Sequence, residues 1–160
     1  MKRVLAISIL LGSLGCAEVE EASPTLRGEI EGEVVEFLDS YRLAIETRND
    51  SLLRTLYADD GRFEWIEDGE VRYRSLEEVL AALAGLPSDA LVRTEYQDVG
   101  VSPLGASGAL VAMQFRTVMG EGQSAYEFGG MVSMVLEKGP AGWRLVGGHT
   151  STPRPEREWP

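Results

Sequence analysis

Residues 57–60 read Tyr57-Ala58-Asp59-Asp60, and the chain changes periodicity on either side of them. Upstream, Ile30, Val34, Phe37, Leu38, Tyr41 and Ile45 recur at spacings of three and four, which predicts an amphipathic helix of about five turns. Asn49-Asp50 supplies a cap for a short second helix carrying Leu52, Leu53, Leu56 and Tyr57. Downstream the pattern turns to strands. Phe63 to Ile66 and Glu70 to Arg74 flank the hairpin-type turn Glu67-Asp68-Gly69. A third helix follows, opened by the Ser75/Glu78 capping pair ahead of Leu76, Val79, Leu80 and Leu83, and stopped by Pro87.

Three longer strands are predicted near Leu91 to Val101, Gly108 to Val118 and Ser124 to Lys138, then a last one from Trp143 to Thr150. Short turns join them, so the natural topology is an antiparallel sheet. Gly129-Gly130 inside the longest strand predicts a bulge or a sharp bend. The fold class is therefore α+β, with a strongly curved antiparallel sheet wrapped around a long N-terminal helix and two shorter helices.

The first residues differ in kind. Lys2 and Arg3 precede an apolar run from Val4 to Leu14, and Gly15-Cys16 closes it with the only cysteine of the chain. Eleven residues are too few to span a bilayer, and charge, apolar run and small residues stand in the order of an export signal. Residues 1–15 are read as a signal peptide, 16–27 as an acidic tether, 28–151 as one domain and 152–160 as a Pro-rich charged tail. A single cysteine forms no internal disulfide. Ser13-Leu14-Gly15-Cys16 resembles the lipobox of bacterial lipoproteins, which implies that Cys16 is acylated and becomes the mature N-terminus. The mature domain would then face the periplasm or the cell surface, with the lipid anchor as its only membrane contact.

Removing Lys2 and Arg3 from the 15 basic residues leaves 13 against 26 acidic ones, a net charge near −13. Such a surface repels phosphate backbones, which argues against nucleic acid as a partner.

The order helix, helix, strand hairpin, helix and four long strands resembles the nuclear transport factor 2-like superfamily, and its SnoaL-like members in particular. The resemblance rests on Tyr57-Ala58-Asp59-Asp60 and on Trp143-Arg144-Leu145-Val146-Gly147-Gly148-His149-Thr150-Ser151, which looks like the family's last strand. It implies a cone made by the bent sheet, with the first helix closing its mouth. It also implies isomerases, dehydratases, cyclases and non-catalytic binding subunits alike, so function has to be argued from the site.

In the ketosteroid isomerase type a donor tyrosine stands sixteen residues before the Tyr-Ala-Asp-Asp tyrosine, and Tyr41 fills that position. The base carboxylate stands eight residues after it, and that position is Trp65. The adjacent Glu64 turns to the opposite face of a strand. No proton shuttle of this kind is specified, and no catalytic residue is assigned. His149 is the only histidine, so no multi-histidine metal centre exists, and no metal or cofactor is expected. In dehydratase members a histidine pairs with an aspartate, a role in which His149 would need Asp39 or Asp98, but the preferred reading of His149 is a rim histidine bonded to a neighbour.

A pocket for a small apolar molecule is the better-supported expectation. Tyr41, Phe63, Trp65, Met113, Phe115, Tyr126 and His149 are its candidates, with Phe128 on the face of Tyr126. The same aromatic walls read equally as side chains that fill the core. Protein partners stay open, with a homodimer through the outer sheet face implied by the resemblance.

Overall fold

The structure is a computed structural model, and it describes residues 23–87, 90–120 and 125–153. Residues 1–15, read above as a signal peptide, lie outside the described residues, as do Cys16, residues 17–22 of the expected tether, Ser124 and residues 154–160 of the expected tail.

Helix α1 spans Pro24–Glu46. Its start lies upstream of the predicted boundary at residue 28, because Ser23 Oγ accepts from the Leu26 N–H at 3.3 Å and Pro24 sits at the first helical position. A cap and a proline begin a helix before its first apolar residue, which periodicity does not register. One face of α1 buries Ile30, Val34, Phe37, Leu38, Tyr41 and Ala44. Helix α2, Asp50–Leu56, begins at Asn49, whose side chain accepts from Leu52 N–H at 3.0 Å. Helix α3, Leu76–Ala84, begins at Ser75, whose hydroxyl accepts from Glu78 N–H. Glu78 reaches back to the Arg74 N–H at 2.6 Å, so the capping pair is reciprocal, displaced by one residue.

The strands are β1 Glu64–Glu67, β2 Glu70–Tyr73, β3 Val92–Pro103, β4 Gly108–Met119, β5 Tyr126–Gly139 and β6 Gly142–Ser151. They form one open, curved sheet in the order β2-β1-β6-β5-β4-β3. The meander β3 to β6 is antiparallel, but β1 lies parallel to β6, with Trp65 opposite Gly148. This corrects the expectation of a wholly antiparallel sheet. The hairpin β1–β2 precedes α3 and the meander, so it meets β6 across the sheet rather than through a turn.

No bulge occurs at Gly129-Gly130, where the β4–β5 register runs unbroken. The glycines serve close approach instead. A Cβ on Gly130 would sit 2.0 Å from the Ser151 carbonyl oxygen, and one on Gly129 would sit 2.5 Å from that of Phe115. Register shifts lie elsewhere: between Trp65 and Ile66 against β2, between Gln97 and Gly100 on β3, and where Val135 and Leu136 of β5 face Gly147 and Leu145, which leaves Val146 as an extra residue on β6.

Buried side chains of α1, α2, β1, β4, β5 and β6 form one core, with Leu53, Val111, Met113, Leu136 and Leu145 fully enclosed. The Tyr57-Asp60 turn is docked on β6: Tyr57 bridges Leu145, and Ala58 N–H donates to the Leu145 carbonyl at 2.9 Å. Within the turn, Asp60 accepts from the backbone N–H of Arg62 at 3.2 Å and from its guanidinium at 2.7 Å. Thr152, assigned to the tail from sequence, is pinned: its N–H and hydroxyl both donate to the Asp68 carboxylate, at 2.8 and 2.7 Å. Among the described residues no helix is long and apolar enough to cross a membrane.

Candidate functional site

The curved sheet does not close on a solid core. A cavity of about 410 Å³ remains between the concave sheet face, α1 and α3. Alternation along the strands decides what lines it. Phe63, just before β1, and Trp65 within it share the inner face, and Trp65 is 8% exposed. On β4 the inward series runs Val111, Met113, Phe115, Thr117, and its last two members border the cavity. Phe128, Val132 and Met134 of β5 complete that wall. Ile45 of α1 and Val79, Leu83 and Leu86 in and after α3 form the opposite side.

Four of the seven sequence candidates, Tyr41, Phe63, Trp65 and Phe115, line this cavity. Three do not. Met113 is fully buried in the core, one step further along β4 than the cavity reaches. Tyr126 stacks on Phe128 with ring centroids 5.7 Å apart, but it lies at the open end of β5 and is 64% exposed. His149 pairs with Ile66 and Ser133, one residue beyond the inward Gly148, so it stands on the convex face. The extra residue Val146, between Leu145 and Gly147 on β6, breaks the simple alternation from Trp143, which would otherwise have turned His149 inward.

The polar groups at depth are hydroxyls. Tyr41 and Tyr57 meet oxygen to oxygen at 3.1 Å, where α1 faces the Tyr57-Asp60 turn. Burial raises the Tyr41 pKa well above the usual tyrosine range, and the neighbouring Tyr57 adds to the effect. Burial likewise pushes Tyr57 up to about 12, against the opposing effect of its hydrogen bond to Tyr41. Tyr96, on the same wall, is also raised, chiefly by burial and then by Tyr41. These phenols therefore remain neutral donors at any physiological pH. A second pair, Thr94 and Thr117, meets hydroxyl to hydroxyl at 3.0 Å across β3 and β4.

Charge is confined to the rim. Arg42 bonds Glu46 at 3.3 Å and Asp39 at 3.4 Å, and Glu46 also accepts from the Thr94 N–H at 2.7 Å. Glu67, on the same face as Trp65, borders the cavity and lies 3.6 Å from Arg72. No group of His, Cys, Asp or Glu suited to a metal ion occurs among the described residues.

Sequence reasoning missed Tyr73, Thr94, Tyr96, Thr117, Glu67 and the Asp68–Thr152 contact. For Thr117 a signal existed: it is a polar residue in the inward series of β4, and Thr94 is its partner in register. Glu67 was legible too, since it follows Trp65 at the strand period of two.

Solved structures share this architecture. A nuclear transport factor 2-like superfamily protein from Salmonella enterica serovar Typhimurium superposes with a TM-score of 0.67 at 17% identity, covering 86% of this chain and 97% of that one. A nuclear transport factor 2-like protein of unknown function in nutrient uptake, from Rhodospirillum rubrum, gives 0.63 at 24%, covering 76% and 98%. A hexachlorocyclohexane dehydrochlorinase gives 0.67 at 12%, covering 82% and 90%. At these identities the likeness is one of fold. No curated protein matches the chain. The SnoaL-like domain profile matches residues 34–155, most of the chain, which therefore belongs to the SnoaL-like domain family.

Proposed function

We propose that this is an exported domain, held at a bacterial membrane through acylated Cys16, whose cavity binds a small and largely apolar molecule. One observation carries the binding reading: about 410 Å³ of space walled by aromatic side chains, among them Trp65, the residue at the position where the resemblance to the ketosteroid isomerase type expects a base. That volume lies within the range of about 300–1,000 Å³ for ligand pockets. A charged base in that position would need hydration, whereas an indole offers a flat apolar surface.

The test is retention. The purified chain is mixed with a metabolite extract, separated from unbound material, and the released compounds are identified by mass spectrometry. A neutral, ring-containing compound held at about one per chain is expected. Retention of nothing, or only of charged polar compounds, rejects the reading.

A proton-transfer enzyme is the second reading, favoured by Glu67, which borders the cavity holding the Tyr41–Tyr57 pair. Its carboxylate is 44% exposed and paired with Arg72, a poor setting for a base, so binding is preferred. Isomerisation of an enone that disappears in both Glu67→Gln and Tyr41→Phe would reverse that preference. No turnover by the wild type would end the enzyme reading.

A further inference from the structure

One wall of the cavity carries a row of side chains across three strands. Thr94 of β3, Thr117 of β4 and Phe128 of β5 stand opposite one another in register, and all three line the cavity. The neighbouring inward row adds Tyr96 and Phe115, and the Phe115 and Phe128 rings meet edge to face with centroids 6.0 Å apart. Two hydroxyls are therefore set among rings. Thr117 is 7% exposed, Thr94 is half-buried, and the Thr94 N–H is tied to the Glu46 carboxylate at 2.7 Å. The two hydroxyls bond each other at 3.0 Å and make no other hydrogen bond among the described residues. A hydroxyl has one proton and two lone pairs, so the internal bond leaves the pair with one free proton and three free lone pairs. A hydrocarbon guest leaves all of that capacity unused, and a guest carbonyl uses only the proton. A guest hydroxyl uses both senses: its oxygen accepts the free proton of one threonine, and its own proton goes to a lone pair of the other. The three hydroxyls then close a ring of hydrogen bonds that strengthen one another.

We propose that the ligand is a ring-containing alcohol or phenol whose hydroxyl is seated on the Thr94–Thr117 pair, with its ring against Phe115 and Phe128. The inference rests on the binding reading above and adds the ligand's polar group and its seat. A charged group fits this wall less well. Arg42 is already held by Asp39 and Glu46, and Glu46 in turn accepts from the Thr94 N–H, so neither sign of charge is left there without a partner.

Calorimetric titration of the purified chain with three probes of one skeleton tests this: racemic 1-tetralol, 1-tetralone and tetralin, which are alcohol, ketone and hydrocarbon. The alcohol is expected to bind at least about tenfold tighter than the hydrocarbon, as two net hydrogen bonds imply, with the ketone between them. Thr94→Val with Thr117→Val replaces both partners by apolar groups of the same shape, a change nearly neutral for folding, so the variant remains measurable. It should bring 1-tetralol down about tenfold, to the affinity of tetralin, while tetralin binding stays level. Thr94→Ser with Thr117→Ser keeps both hydroxyls and should keep the preference for the alcohol. Equal binding of alcohol and hydrocarbon by the wild type overturns the inference and leaves the binding reading standing. A ketone bound as tightly as the alcohol overturns the alcohol class. A preference that survives the valine pair, or that is lost instead in Tyr41→Phe with Tyr57→Phe, overturns the threonine seat. Binding of none of the three probes overturns the inference as well, and the metabolite-retention experiment decides the binding reading separately.

Discussion

Tyr41 and Tyr57 are sixteen residues apart in sequence and meet through their hydroxyls in a water-poor interior. Such burial gives a pH dependence of defined sign. Below pH about 10 folded and unfolded chains both keep the Tyr57 proton, and its contribution to stability is fully present. Between about 10 and about 12 the unfolded chain releases that proton while the folded chain keeps it, so stability falls as pH rises. The slope is on the order of 1 kcal/mol per pH unit for one such phenol, and Tyr41 and Tyr96 act in the same direction. Urea midpoints measured from pH 9 to 11.5 should decline more steeply for the wild type than for Tyr41→Phe with Tyr57→Phe. Parallel profiles would mean that the pair is not buried as described. The positions of both tyrosines were legible from the Tyr-Ala-Asp-Asp spacing, but their partnership was not, because it depends on how α1 crosses β6. Tyr96 and Thr94 were hidden for a plainer reason: β3 is mostly exposed, and nothing local marks which of its residues face inward.

At the level of elements, periodicity located the three helices and six strands of the described residues, since apolar spacing is set by the same burial that packs them. What it could not locate was pairing across long sequence distances. The parallel contact of β1 with β6 joins residues more than eighty apart, and it is this contact that places Trp65 over Gly148. A Cβ at Gly148 would lie 2.5 Å from the Trp65 ring and 2.6 Å from the Ser133 carbonyl oxygen. Gly148→Ala should therefore cost about 1–3 kcal/mol, as overpacking does, and shift the emission of Trp65 as its ring is displaced. Gly28→Ala is the control, since nothing lies within 4 Å of its Cβ position. If Gly148→Ala melts with the wild type and its fluorescence is unchanged, the β1–β6 register is wrong. The misplacement of His149 has a related origin: one extra residue on β6, between Leu145 and Gly147, reverses the facing of everything beyond it, and a single sequence carries no mark of that bulge.

For the whole molecule, the proposed function joins an apolar cavity to an N-terminal segment read as an export leader ending in Cys16. If Cys16 is acylated, Cys16→Ser should move the protein from the membrane to the soluble fraction and abolish labelling by a fatty-acid analogue. A mutant that stays membrane-bound and labelled would disprove the anchor. The family resemblance fixed the fold in advance, but the cavity's occupancy by space rather than by side chains was not legible, because aromatic residues fill a core or wall a pocket with the same periodicity. Trp65→Ala separates those two states most directly, measured as stability of the free domain and as affinity for the compound retained from the metabolite extract. A ring packed on all sides costs about 3–5 kcal/mol when removed. A ring with one face on a cavity gives up fewer contacts. The account predicts a loss of stability below that range, together with at least about a tenfold loss of affinity, the scale of a lost aromatic stacking contact. The full cost of an emptied core, with affinity unchanged, would contradict it.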